Sequence, residues 1–394
     1  MRILFVSSGK SATSNAYNHR IFNIERHCRQ LGADTSRLFL GNLFFDSPVL
    51  IQLLNLPFIL RYLRKFDVIH AGGQGAAFFF AVATRLIGRN TIVIYDVHSD
   101  IITESRLVRR GKLDFVGYFI EFEMLLTEYV ALSGIKYFIT SSSEIKRRLL
   151  QRNRHVRSEN VEIILNGVDL AEFTPQRNTI PLLDPKVFTV TYAGSFGAIE
   201  AVDTLVRAAE ILSDENVNFK LIGFSKEDRK IKSDIQKRLE NKALLLDWLP
   251  RNELVAELQK SDVLVIPADS SNRKQSDNRS AVFVTKFAEF LAIAKPVIAT
   301  RLDMISRIVE TYDCGFVCEA NAESIAESIR EAKGTSAEVL QRKGRNGRQF
   351  AETELDVNLI CKKYLQFLGK LLKQRESERV QPRTKSGDYL HHVR

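Results

Sequence analysis

Lys286 and Glu289 lie three residues apart in VTKFAEFLAIAKPVIAT, a stretch whose periodicity predicts a helix from about Lys286 to Ala294 followed by a short strand. Side chains at that spacing share one helix face. The pair is therefore either an exposed ion pair or a cation and a two-oxygen acceptor turned toward one ligand. His98 closes the strand-like run TIVIYDVHS. An imidazole at a strand end is either a satisfied structural side chain or, when neutral, a hydrogen-bonding group for a ligand. The polar loop ADSSNRKQSDNRSAV carries Arg273, Lys274 and Arg279, which read equally as solvated surface cations and as a cationic loop that closes on phosphates. GxGxxG, GxxxxGK[ST] and HExxH are all absent, and no Asp/Glu pair has metal spacing. Dehydrogenase, kinase-like and zinc-hydrolase chemistry thereby lose their best signals, and the paired carboxylates of a glycosidase are missing as well.

The elements that must carry these groups follow from the pattern of the whole chain. Its 394 residues, 45% hydrophobic and 26% charged, suffice for two domains of ordinary size. The net charge of +10 suits nucleic acid, anionic lipid or an acidic small substrate such as a sugar nucleotide diphosphate, without choosing among them. Cys28, Cys314, Cys318 and Cys361 are too scattered for a disulfide framework or a zinc site and are read as plain thiols of a reducing cytoplasm. The longest apolar stretch, Val49 to Leu60, is broken by Gln52, Asn55 and Pro57 and falls short of the roughly 20 residues of a spanning helix. The opening MRILFVSS reads as a first strand and not as a signal peptide.

Short apolar runs alternate with amphipathic helical stretches over the first 180 residues, with strands expected at ILFVSS, the run ending TSRLFL, FDVIHA, TIVIYDVHS, KYFITSS and VEIILNG. FTPQRNTIPLLDPK, with three prolines, breaks both periods and marks a boundary. A second βα series follows through VFTVTYAG, NFKLIGF, ALLLDWL, DVLVIPA and PVIAT. The fold class expected is α/β, two doubly wound Rossmann-like domains facing across a cleft: residues 1–180, then 187–355. A C-terminal helix over 356–372 is expected to pack back on the first domain, and a basic tail over 373–394 to be disordered. In such sheets ligands settle beyond the carboxyl ends of the strands, where helix N-termini and cations can hold a diphosphate without a metal.

ILNGVDLAEFTP, from Ile164, resembles the first-domain exit of family-4 (group 1) glycosyltransferases with the GT-B fold, although alone it is also a common strand and Asn-Gly turn. YAGSFGAIEAVDTLVRAA, FKLIGF, LDWLPRNELVAELQKSDVLVIP and VTKFAEFLAIAKPVIAT continue in that family's order. The resemblance implies a nucleotide-sugar donor as co-substrate, no cofactor and no metal. It implies that Glu289 accepts hydrogen bonds from the ribose hydroxyls, that Lys286 and Thr285 meet the diphosphate, and that Gly194 and Ser195 form the turn over which it passes. Trp248 and Leu249 fall where the base is placed, and Gly9 in the loop that closes from the first domain. His98 matches the histidine near the transferred sugar, a catalytic role, and Arg20 is a phosphate- or acceptor-facing cation.

Two departures accompany the resemblance. Ala281 stands where the family carries a first Glu, and Ser195 and Glu200 stand where it carries phosphate-binding Arg and Lys. The diphosphate must then be met by Lys286 and by Arg273, Lys274 and Arg279. The expected reaction is retaining transfer of a sugar from a UDP- or GDP-linked donor to a glycan or lipid-linked acceptor in cell-surface polysaccharide or glycolipid synthesis. The alternatives are a non-catalytic GT-B-like binding protein, a sugar-nucleotide epimerase and, last, a nucleic-acid binder. ESRLVRRGKLDFVGYFIEFEMLL, from Glu104, interleaves Arg106, Arg109, Arg110 and Lys112 with apolar residues. It reads either as a basic surface loop over an apolar helix or as a contact with an anionic membrane at the inner face of the cell.

Overall fold

The structure is a computed structural model that describes residues 1–7, 16–40, 56–87, 91–98, 115–175, 187–196, 202–267, 285–301 and 303–380. Among these residues twelve strands form two six-stranded sheets. The first holds β1 (Arg2–Ser7), β2 (Asp34–Phe39), β3 (Val68–Gly72), β4 (Ile92–Val97), β5 (Tyr137–Thr140) and β6 (Val161–Ile163) in the order β2-β1-β3-β4-β5-β6. The second holds β7 (Phe188–Ala193), β8 (Val217–Phe224), β9 (Ala243–Asp247), β10 (Val263–Ile266), β11 (Val297–Thr300) and β12 (Gly315–Cys318) in the order β12-β11-β10-β7-β8-β9. Every pairing is parallel. The chain is a two-domain α/β fold of the GT-B type.

Because successive side chains of a strand point to opposite faces, each sheet feeds two cores. Leu4 and Val6 face the helices α2 (Gln74–Ile87) and α3 (Phe115–Gly134). Ile3 and Phe5 face α1 (Ala16–Gln30) and the last helix. The central strands β3 and β4 are buried along their whole length, as parallel strands covered on both faces must be. The second sheet is covered by, among others, α4 (Arg251–Gln259), α5 (Thr285–Ala292) and α6 (Ala337–Phe350).

The last helix, α7 (Val357–Val380), belongs by packing to the first domain. Ile360, Cys361, Tyr364 and Leu368 join Ile21, Ile24 and Cys28 of α1 in one core. Helix α7 runs on through 373–380, which the sequence reading assigned to a disordered tail. That stretch is polar, yet its residues are good helix formers on an already packed helix, and Gln374 and Lys136 both reach Glu378. Residues 381–394 lie outside the described region.

Two chain segments cross between the domains side by side. Val168 N–H donates to Leu355 O (2.8 Å), and Val357 N–H returns a bond to Val168 O (3.1 Å). A Cβ on Gly167 would meet Val357 Cα at 2.8 Å, so glycine is what lets the two crossings touch. Asp169 caps the next turn through Ala171 N–H and Glu172 N–H, and its other oxygen pairs with His27 of α1 at 3.4 Å.

Candidate active site

In the second sheet the strand order reverses between β7 and β10, the place where open α/β sheets bind ligands. Gly194 follows β7 directly. A Cβ there would meet Lys286 Nζ at 2.5 Å and the Tyr192 hydroxyl at 2.8 Å. Gly223, on the neighbouring strand at φ +119°, holds a backbone that side-chain-bearing residues rarely adopt, and any Cβ on it would strike Gly194 O. The sheet edge is thus pared to backbone where the ammonium of Lys286 stands.

Helix α5 opens at Thr285 beside this turn. Lys286 Nζ donates to Tyr192 Oη (3.2 Å) and lies 4.8 Å from the centre of its ring. Tyr192 in turn donates to Ser195 O (2.7 Å). Glu289 lies one helical turn further on, within 3.5 Å of Arg251 Nη1, which also pairs with Glu172 at 3.0 Å. Burial pushes the Glu289 carboxyl up to about 7; Arg251 and Lys286 oppose that shift and Glu172 adds to it. Trp248, just past β9, is 67% exposed. Leu249 is half-buried against the core that contains Phe287 and Ile266.

His98 follows β4, and its imidazole is held down to about 3 by burial, with Arg20 and His70 helping and Asp96 opposing. It is neutral at physiological pH. Asp96 is fully buried; burial alone would raise its carboxyl, but Arg20 and the His70 hydrogen bond hold it well below the usual carboxylate range. Arg20 Nε donates to Asp96 at 3.1 Å, and His70 Nε2 lies 3.4 Å from the same oxygen. Tyr364 of α7 meets His70 Nδ1 at 2.9 Å.

Arg20 is held by several protein acceptors. Its guanidinium also donates to Ile164 O, Leu165 O and Asn166 Oδ1 at 2.6, 3.0 and 2.7 Å, and a second bond reaches Asp96 Oδ1 at 3.5 Å. All five of its N–H donors have acceptors inside the protein. The side chain is 2% exposed and anchors the exit of β6 to β4, while it also lines the cavity between the domains. A cavity of about 230 Å³ runs from this anchor and Gly167 to Glu172, Arg251 and Thr285, joining the two domains.

Residues 19–172 match the family model described as Glycosyltransferase Family 4, and residues 176–350 the one described as Glycosyl transferases group 1. The chain belongs to the group 1, family 4 glycosyltransferases. An uncharacterized glycosyltransferase of Methanocaldococcus jannaschii is 30% identical over 162 residues, which is 41% of this chain and 42% of that protein. The chain thus spans less than half the length of that relative. HepE of Anabaena, solved with UDP and glucose, superposes with a TM-score of 0.69 at 16% identity, over 94% of this chain and all of that one. Sucrose-phosphate synthase of Thermosynechococcus elongatus superposes with a TM-score of 0.73 at 16% identity, over 95% of this chain and 99% of that one.

In this glycosyltransferase, Thr285, Lys286, Gly194 and Ser195 come together at one sheet edge, and Glu289 lies one turn along α5. His98 stands on the other domain. Gly9, Arg273, Lys274, Arg279, Ala281 and Glu200 lie outside the described residues. Sequence reasoning missed Arg251, Glu172 and Tyr192. Tyr192 had a legible signal, since a tyrosine in a buried parallel strand needs a partner for its hydroxyl. Arg251 had none, because its meeting with Glu289 and Glu172 depends on how α4, α5 and the interdomain crossing converge. Among the described residues no helix is long and apolar enough to cross a membrane.

Proposed function

We propose that this glycosyltransferase moves a sugar, with retention, from a UDP- or GDP-linked donor to a glycan or lipid-linked acceptor at a membrane surface. The observation that carries the reading is the seat of Lys286: its ammonium stands over a glycine turn at the sheet's switch point, with Glu289 one turn along the same helix. The bare backbone admits a diphosphate, Lys286 and the first N–H groups of α5 meet its charge, and Glu289 takes the ribose diol. Exposed Trp248 offers a face on which a base stacks. That arrangement supplies the electrostatics without a metal. HepE, of the same fold, was solved with UDP and glucose, which fits a uridine donor.

Transfer with retention needs no protein nucleophile in this reading: the leaving diphosphate oxygen takes the proton of the incoming hydroxyl on the same face. The protein positions the two and excludes water. His98, neutral and just past the carboxyl end of β4, hydrogen-bonds a sugar hydroxyl in this reading. A histidine held near 3 is a poor base, which speaks against epimerisation of the sugar ring. The test is release of nucleoside diphosphate from a panel of UDP-, GDP-, ADP- and TDP-sugars with lipid-extract acceptors. Release that disappears in Glu289→Ala supports the proposal; silence across the panel, with no nucleotide raising the melting temperature, sinks it.

A further inference from the structure

Glu289 does not stand alone on α5. Arg251 Nη1, from the first position of α4, lies 3.5 Å from Glu289 Oε1 and donates to Glu172 Oε2 at 3.0 Å. One nitrogen thus serves two carboxylates, one on the helix that carries Lys286 and one on the segment that has just crossed between the domains. The helix itself gives no reason for the cation, because a positive charge at a helix start opposes the dipole. What holds it there is the carboxylate pair and the ring of buried Phe173, whose centre lies 5.5 Å from the guanidinium carbon. The same guanidinium lines the interdomain cavity beside Thr285 and Glu172.

We propose that Arg251 is a positioning residue for the nucleotide: it fixes the charge and the aim of the Glu289 carboxylate, and Glu172 competes with Glu289 for it. This rests on the donor site proposed above and adds that the interdomain segment, through Glu172, helps set donor affinity. The charged groups around Glu289 divide by sign. Arg251 and Lys286 favour the ionised carboxylate, while burial and Glu172 disfavour it and leave it at about 7. Lys286 is turned to Tyr192 at 3.2 Å. Glu257 of α4 is taken by Lys220 and Lys260, and Arg348 of α6 faces Ala292 O and Phe173 O and pairs with Glu352. Among the described residues Arg251 is therefore the cation that pairs with Glu289.

The segment does not depend on Arg251 alone. Gln259, at the other end of α4, donates to Thr174 O at 2.7 Å, and Arg348 donates to Phe173 O at 2.8 Å. Variants at position 251 should therefore fold, with a melting temperature close to the wild-type value.

Whichever of UDP, GDP, ADP and TDP binds the full chain is titrated by calorimetry from pH 6 to pH 9, and the response that Glu289→Gln retains is subtracted as the nucleotide's own. Removing a cation raises a carboxyl, and removing a like charge lowers it. Arg251→Gln should move the midpoint of the pH response up by about one unit, which makes affinity about fivefold weaker at pH 7 and close to wild type at pH 9. Glu172→Gln should move the midpoint down. Arg251→Lys should leave it near the wild-type value, because both contacts use one nitrogen and an ammonium can supply one. A midpoint indifferent to Arg251→Gln, a loss equal at pH 7 and pH 9, or shifts of one sign in Arg251→Gln and Glu172→Gln overturns the inference, and makes Arg251 a strut of the segment or a direct ligand contact. A chain that binds none of the four nucleotides fails the donor reading and takes this inference with it. One that binds with a Glu289-dependent response that Arg251 does not move fails here alone.

Discussion

The Lys286 ammonium and the Tyr192 ring form a cation–π pair at 4.8 Å that holds the cation over Gly194. Tyr192 is fully buried and its hydroxyl is spoken for by Ser195 O, so it offers Lys286 an oxygen lone pair and a ring face. The tyrosine therefore works as a positioning residue. Lys286→Ala is expected to weaken nucleoside diphosphate binding by roughly ten- to a hundredfold, as loss of a charged hydrogen bond would. Tyr192→Phe keeps the ring and loses only the hydroxyl, and should weaken it by about three- to tenfold. Titration calorimetry with UDP and GDP reads both.

In the proposed donor site Glu289 takes both ribose hydroxyls as an ionised carboxylate. Burial has moved its carboxyl from 4.5 to about 7, so the ligand-free protein loses that proton near neutrality. Donor affinity should rise by about tenfold from roughly pH 6 to pH 8. The sign is that of a raised carboxyl: the protonated form is favoured below 7, and the ligand must displace the proton. Glu289→Gln should be weaker and flat over the same range once the nucleotide's own titration is subtracted.

His98 titrates far below that window, at about 3. Between roughly pH 5 and 9 it should contribute no limb to the pH profile. His98→Asn, which keeps an N–H donor, should hold more activity than His98→Ala, whose kcat/KM is expected to fall roughly ten- to a hundredfold. A histidine limb near pH 6 in the wild type would contradict the neutral assignment.

Arg20→Met leaves Asp96 buried without its main cation. The expected loss of stability is about 3–5 kcal/mol, read by chemical denaturation, while UDP affinity of the folded fraction stays close to wild type. A selective loss of nucleotide affinity with unchanged stability would return Arg20 to the phosphate-facing role its sequence position suggested.

Gly167→Ala drives a Cβ into Val357 Cα and Ile360 Cδ1, at 2.8 and 2.9 Å. Overpacking at this crossing is expected to cost about 1–3 kcal/mol. A melting temperature unchanged from wild type would mean that the two crossings separate freely.

Most of both sheets was legible because parallel strands covered on two faces read as largely apolar runs, as in β3 and β4, whereas the short edge strand β12 was not read. Lys286 and Glu289 were legible because one helix fixes their spacing. The anchoring of Arg20 was not legible because its partners, Asp96 and the carbonyls of Ile164 and Leu165, lie far along the chain, and an arginine's type does not reveal whether its donors are already satisfied. The end of α7 was missed for a related reason: polar composition resembles disorder until a packed helix is present to extend. Arg251 needed three converging elements, which no local pattern encodes.

The crossing at Val168 and Val357 also inverts the order of assembly. The first domain's strands leave the ribosome before any of the second, yet one face of their sheet is closed by Ile360, Cys361, Tyr364 and Leu368 of the final helix. The second sheet, Phe188 to Cys318, is contiguous in sequence and already has its helices when α7 has yet to be made. The domain begun first is therefore finished last. Until translation reaches α7, Ile3, Phe5, Val68 and Ile94 present an open apolar surface that α1 alone covers, a nascent-chain vulnerability built into the topology.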